Sequence, residues 1–171
     1  MKFFRHGAIL ISVAMSGLAA TAVAAAPPAA GQAVTRLAGP CIKVTATIPL
    51  TKASGAIAVD PKTNTVYATN GGHQVIVISG QTNKVVSTIS VGRNADTVAV
   101  NPATNTIYVG NSRDGTISVI NGRTNTVTAT IPVAAFPQSV AVDPNTNRAY
   151  VANAPTDGSP SSVSVLGPCR L

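Results

Sequence analysis

From residue 43 onward the chain alternates short runs of Val, Ile and Thr with clusters of Asn, Asp, Pro, Gly and Lys. Runs this short, bounded by turn formers, read as β-strands, and no stretch carries the apolar spacing of an amphipathic helix. The pattern repeats itself. IAVDPKTNTVYATN (57–70), VAVNPATNTIYVGN (98–111) and VAVDPNTNRAYVAN (140–153) align without a gap, their starts 41 and 42 residues apart. Ahead of them stand VTATIPL (44–50), VVSTISV (85–91) and VTATIPV (127–133); behind them stand VIVIS (75–79), TISVIN (116–121) and SVSVLG (162–167). Each period therefore predicts four strands, which in the first copy are IAV, TVYATN, VIVIS and KVVSTIS. Asp60-Pro61, Asn101-Pro102 and Asp143-Pro144 open the first turn of each copy, where Asp or Asn accepts a backbone hydrogen bond and Pro presets the next φ. Asn121-Gly122 predicts a tight hairpin between the third and fourth strands.

Four antiparallel strands in a period of about 40 residues make a propeller blade, a small twisted sheet that buries its faces against neighbouring blades. The expected fold is all-β: a β-propeller of four-stranded antiparallel blades, three per chain. The blades are expected at about 57–90, 98–132 and 140–171, the last joined by 42–50 so that the two termini complete it. Tyr67-Ala68-Thr69-Asn70, Tyr108-Val109-Gly110-Asn111 and Tyr150-Val151-Ala152-Asn153, each after an Asp/Asn-Pro-x-Thr-Asn turn, resemble the YVTN family of β-propeller repeats. Each copy keeps the Tyr and the final Asn and varies the middle two letters. Tyr67, Tyr108 and Tyr150 are expected to pack between blades, and Asn70, Asn111 and Asn153, with Asp60, Asn101 and Asp143, to hold the frame. Because Asn101 stands where Asp60 and Asp143 do, that position requires hydrogen bonding rather than charge.

Composition sharpens the location more than the activity. The 171 residues are 45% hydrophobic, 4% aromatic and 10% charged, with a net charge of +7 and no Trp. That balance excludes a disordered chain. Part of the hydropathy lies in residues 1–24, where Lys2, Arg5 and His6 precede an apolar run from Ala8 to Ala20 and the small-residue pattern Ala22-Val23-Ala24. These are the parts of a secretory signal peptide, and the protein is expected to be secreted, periplasmic or at the cell envelope. Residues 25–40, rich in Ala, Pro and Gly, read as a flexible leader to a repeat domain over 41–171.

Outside the cytosol disulfides persist, so Cys41 and Cys169 are expected to be bonded. Alignment places Cys169 with Gln81 and Arg123, and Cys41 with Thr82 and Thr124, adjacent positions of one turn on either side of the cut in the last blade. Three blades fall short of the usual count of about four to eight. A head-to-tail dimer would form a six-bladed ring with two interchain disulfides; the alternatives are a compact closed monomer and an open arc with exposed edges.

Candidate chemistry is sparse. Beyond the leader there is one His and no Glu, so a single chain offers neither a multi-histidine metal site nor the base a Ser nucleophile requires. No catalytic residue, metal or cofactor is assigned. The loops that differ between copies are the better guide to function. Those entering the first strand of each blade offer Lys52, Arg93, Asn94, Asp96 and Gln138; those between second and third strands offer His73, Arg113 and Asp114. The resulting expectation is an exported, non-catalytic propeller that binds a protein, an envelope polymer or a small ligand through loops at the ring mouth, with no membrane span once the signal is cleaved. The family resemblance implies one alternative, an enzyme of lactonase-like or quinoprotein-like type, against which stand the missing Glu and His cluster. The basic balance suggests another, binding of DNA or acidic polymer, against which stands the scatter of single Lys and Arg residues.

Overall fold

The computed structural model describes residues 42–50 and 55–168. The expected signal and leader, Lys52, Cys41 and Cys169 lie outside the described residues. Among the described residues eleven strands form three antiparallel sheets: β1 (Ile57–Asp60), β2 (Thr65–Thr69), β3 (Gln74–Ser79) and β4 (Lys84–Ser90) in the first blade; β5 (Ala95–Asn101), β6 (Thr106–Asn111), β7 (Thr116–Asn121) and β8 (Thr126–Pro132) in the second; β9 (Pro137–Asp143), β10 (Arg148–Asn153) and β11 (Ser162–Leu166) in the third. Strands pair in chain order within each blade. Among the described residues no helix is long and apolar enough to cross a membrane.

Hydrophobicity follows position in the blade. β3 is apolar on both faces and its central VIVI is buried: Val75 and Val77 pack onto the second blade, and Ile76 and Ile78 face the side where Pro49 and Leu50 lie. β8, an outer strand, is Thr-rich, exposed over most of its length and ends in Pro, the features that keep a sheet edge from recruiting further strands. β1 touches β5 and β5 touches β9, so the first strands line the inside of an arc. Tyr67, Val75, Val77 and Ile89 of the first blade pack onto Val98, Ile107, Val109 and Ile120 of the second. Ile117 of the second, flanked by Ala99, Tyr108 and Val119, packs onto Val140, Ala149 and Val151 of the third. Burial pushes the phenols of Tyr67 and Tyr108 above the ordinary tyrosine value, with the Asp60 charge adding a smaller push at Tyr67.

The Thr-Asn pair of the repeat has a backbone cause. Asp60 pairs with Thr65 across a four-residue loop that closes with Asn64 at φ 51°, and Asn105 and Asn147 repeat this at 52° and 54°. Asn tolerates this left-handed region better than other side-chain-bearing residues. The Asx contacts open the loops: Asp60 Oδ1 accepts from Lys62 N–H (2.9 Å), Asn101 Oδ1 from Ala103 N–H (2.9 Å) and Asp143 Oδ1 from Asn145 N–H (2.9 Å). The Thr146 hydroxyl, donating to Asp143 Oδ2, and then the Asn145 N–H hold that carboxyl below the usual range. Asn101 also donates to Asn147 Oδ1 (3.1 Å), linking the second blade to the third.

The structure differs from the sequence reading in two places. Asn121-Gly122 is not a two-residue hairpin turn. Asn121 pairs with Thr126 across four residues, its Oδ1 accepts from Arg123 N–H (2.9 Å), and Asn125 takes the positive φ. Gly122 is there for space, because a methyl group on it would overlap the Asn105 side-chain amide. Further, among the described residues the stretch expected to complete the last blade does not do so: residues 42–50 form no strand and β11 pairs with β10 alone. Reaching β11 would require the arc to close on itself, and β9 makes no contact with β1 comparable to those of β1 with β5 and β5 with β9.

Candidate functional site

The chain passes from the outer strand of one blade to the inner strand of the next through a short strap, and the strap over 91–95 is tied on both sides. Val91 N–H donates to His73 O (2.9 Å) and Ala95 N–H to Gly72 O (2.8 Å), fixing it to the β2–β3 loop of the first blade. Ser112 N–H donates to Asn94 O (2.9 Å), fixing it to the matching loop of the second. Asn70, buried at the end of β2, shapes the first loop by accepting from Gly72 N–H (3.0 Å) and Gln74 N–H (3.2 Å). Asn111 and Asn153 work differently, donating to hydroxyls on the neighbouring strand: Asn111 to Ser118 (2.9 Å) and Asn153 to Ser164 (2.9 Å).

Between strap and loops lies a cleft of about 210 Å³ lined by Gly71, Gly72, His73, Arg93, Asn94 and Arg113. Four residues singled out from divergent loops thus meet at one place although 40 positions separate His73 from Arg113. Two more support them. Asp114 accepts from Arg93 Nε (2.6 Å) and from Arg93 N–H (2.7 Å), which set the guanidinium over the second-blade loop. These bonds, with the charges of Arg93 and Arg113, hold the Asp114 carboxyl below its ordinary value. Asp96 accepts from Asn94 Nδ2 (2.6 Å) and from the Ser112 hydroxyl (2.7 Å). Gln138, exposed on β9, lies outside the cleft lining.

Gly71, Gly72 and Ser112 belong to the site and were not singled out from sequence. Ser112 is buried, and only its contact with Asn94 and Asp96 reveals its part. The equivalent strap of the next blade shows what is special here. Val133 N–H donates to Gly115 O (2.9 Å) and Ala154 N–H to Phe136 O (3.1 Å), so the frame is the same. Phe136 takes the left-handed φ of Asn94, 54° against 59°. Yet its sequence is Ala134-Ala135-Phe136 where the first strap has Gly92-Arg93-Asn94, so only the first presents cationic and amide groups. Among the described residues no group of three His, Cys, Asp or Glu comes together as a metal site would require.

Against solved structures the chain is similar to hydrazine synthase of Kuenenia stuttgartiensis, with a TM-score of 0.61 and 24% identity over 72% of this chain and 35% of that one. It is also similar to U3-55K, with a TM-score of 0.56 and 12% identity over 61% of this chain and 34% of that one. A third likeness is to the β-propeller domain of Cps50 (Swd1) of Myceliophteria thermophila, with a TM-score of 0.56 and 9% identity over 69% of this chain and 40% of that one. The fold is a β-propeller. The chain spans 34% to 40% of the length of these structures, so its three blades correspond to part of each. No protein-family model and no curated protein matches the sequence. Identities of 24% and below carry the propeller architecture and no activity.

Proposed function

We propose that the protein is an exported, non-catalytic β-propeller of the YVTN-repeat type that binds a partner through the cleft between its first two blades. The observation carrying this reading is the convergence of His73, Arg93, Asn94 and Arg113 on one cleft. The ligand is an acidic group, a carboxylate, sulfate or phosphate, displayed by an envelope polymer or protein. Arg113 supplies a guanidinium for it, Gly71 and Gly72 leave the backbone accessible, and Asp114 fixes Arg93 while offsetting part of its charge. Hydrogen bonds from a guanidinium to an anion are among the stronger polar contacts available at a surface. The propeller domain of Cps50 (Swd1) shares this architecture, and export rests on the N-terminal pattern of residues 1–24.

The test is titration with a short dextran sulfate at low and at high salt. Binding is expected to weaken steeply with salt and by about tenfold in Arg113→Ala, in line with about 1.5 kcal/mol for a charge-assisted hydrogen bond. No binding, or binding equally tight in Arg113→Ala, would overturn the reading.

A further inference from the structure

The three blades repeat one another, so each position can be compared with a blade neighbour and without one. On the face that each blade turns toward the next, Tyr67, Val75 and Val77 are 1%, 0% and 1% exposed because the second blade covers them. Their equivalents on the third blade, Tyr150, Val163 and Val165, are 37%, 63% and 56% exposed. On the opposite face, Val98 and Val140 are 7% and 8% exposed against the preceding blade, whereas the first blade's equivalent, Ile57, is 65% exposed and Val59 beside it 54%. The arc therefore carries two apolar faces that no blade covers, each the counterpart of faces inside the molecule; on the first blade Ile57 and Val59 are open, while Ile76 and Ile78 beside them are 6% and 4% exposed near Pro49 and Leu50. The two interior contacts show that these faces fit one another.

A second observation concerns the unpaired stretch before the first blade. Residues 44–49 spell VTATIP, as residues 127–132 do in β8. Pro49 precedes Ile57 by the same eight positions by which Pro132 precedes Val140. β8 is the outer strand of the blade before β9, so residues 44–49 have the sequence and spacing of the outer strand of a blade before β1. Among the described residues no blade stands there: Pro49 and Leu50 lie beside Ile76, Val85 and Thr88 of the first blade, while the stretch forms no strand and Val44 is 85% exposed. The third blade is short of that one strand, next to β11. It does not lie against the first blade of its own chain, since β9 and β1 make no contact like those between the other inner strands.

We propose that a second copy of this chain supplies both missing partners. Its first blade seats Ile57 and Val59 on Tyr150, Val163 and Val165, and its residues 44–49 pair with β11 as the fourth strand of the third blade. The same contact at the other seam closes a six-bladed ring about a two-fold axis. Strand addition to an open sheet edge contributes main-chain hydrogen bonds, and the apolar faces contribute the dry centre of the interface.

The test is the solution mass of the full chain by light scattering over a range of concentrations, in reducing buffer so that no thiol cross-link holds copies together. The expected mass is twice that of one chain. Ile57→Asp and Tyr150→Asp should each shift association at least tenfold to higher concentration, whereas Val86→Asp, on an exposed outer-strand position, should leave it unchanged. An equimolar mixture of the two disrupting variants should recover a two-chain species, because the intact face of each then meets the intact face of the other. A variant that had merely failed to fold would not be rescued in this way. A single-chain mass at all concentrations, a ladder of larger masses, or no recovery on mixing would overturn the proposal.

Discussion

Tyr67→Ala is expected to destabilise the folded chain by about 3–5 kcal/mol, the range for truncating a large buried aromatic side chain. Tyr67 is 1% exposed and sits where the first blade meets the second, among Val75, Val77 and Ile89 from its own sheet and Val98 and Ile107 from the next. Truncation leaves a cavity between two sheets, neither of which can move without disturbing four paired strands. The same change at Tyr150 is the internal control. It occupies the equivalent place in the repeat, yet it is 37% exposed on a face with no blade against it. At low protein concentration its loss should cost about 1 kcal/mol or less. Urea denaturation of both variants checks this, with the midpoint moving and the slope unchanged. Equal losses at the two positions would contradict the arrangement of the blades.

Ile107→Ala is expected to cost about 2–5 kcal/mol. Its side chain is fully buried on the face opposite Tyr108, pointing back toward the first blade, and its tip would lie 2.8 Å from a methyl group placed on Gly122. That tightness leaves the site little room to collapse around a smaller residue. The repeat again supplies the comparison. Val66 is the equivalent in the first blade and is only half-buried, while the third blade has Ala149 at 0% exposure. Val66→Ala should therefore cost markedly less than Ile107→Ala in the same denaturation series. Ile107→Val, removing one methyl, should cost about 0.5–1.5 kcal/mol.

The strands were legible in the sequence because the three copies corrected one another. A single IAVD or TVYAT is too short to distinguish from other apolar runs, but three aligned copies with the same turn leave one interpretation. The turns were legible in part. Asp60 and Pro61 announced the loop, while the need for Asn64 came from a backbone angle that no residue type states by itself. Asn121-Gly122 misled for the same reason: the dipeptide that marks a tight hairpin is here an Asx acceptor followed by a residue that must be small. The divergent loops named His73, Arg93, Asn94 and Arg113 as contacts at a ring mouth; that the four line one cleft between two blades was not legible in them. Sequence does not carry the two backbone bonds that bind the strap to the first-blade loop, nor the buried hydroxyl of Ser112 that orders Asn94 and Asp96. Gln138 has the strap position equivalent to Asp96, but the strap before it offers Ala134 and Ala135 in place of Gly92 and Arg93, so position alone did not make it part of a site.

The described residues form an arc of three blades whose outer faces are counterparts of its inner ones. Hydrogen exchange followed by mass spectrometry at low and high protein concentration tests it most directly. At low concentration, peptides from β3, β6 and β7 should exchange slowly, since these strands are paired on both edges, while β11 and residues 42–50 should exchange fast. Raising the concentration should slow exchange in β11, in residues 42–50 and in β1 together, and leave β8, which already forms the outer edge of a complete blade, unchanged. Slow exchange of β11 and residues 42–50 in a species with the mass of one chain would mean that the arc closes within one chain, and would contradict the account.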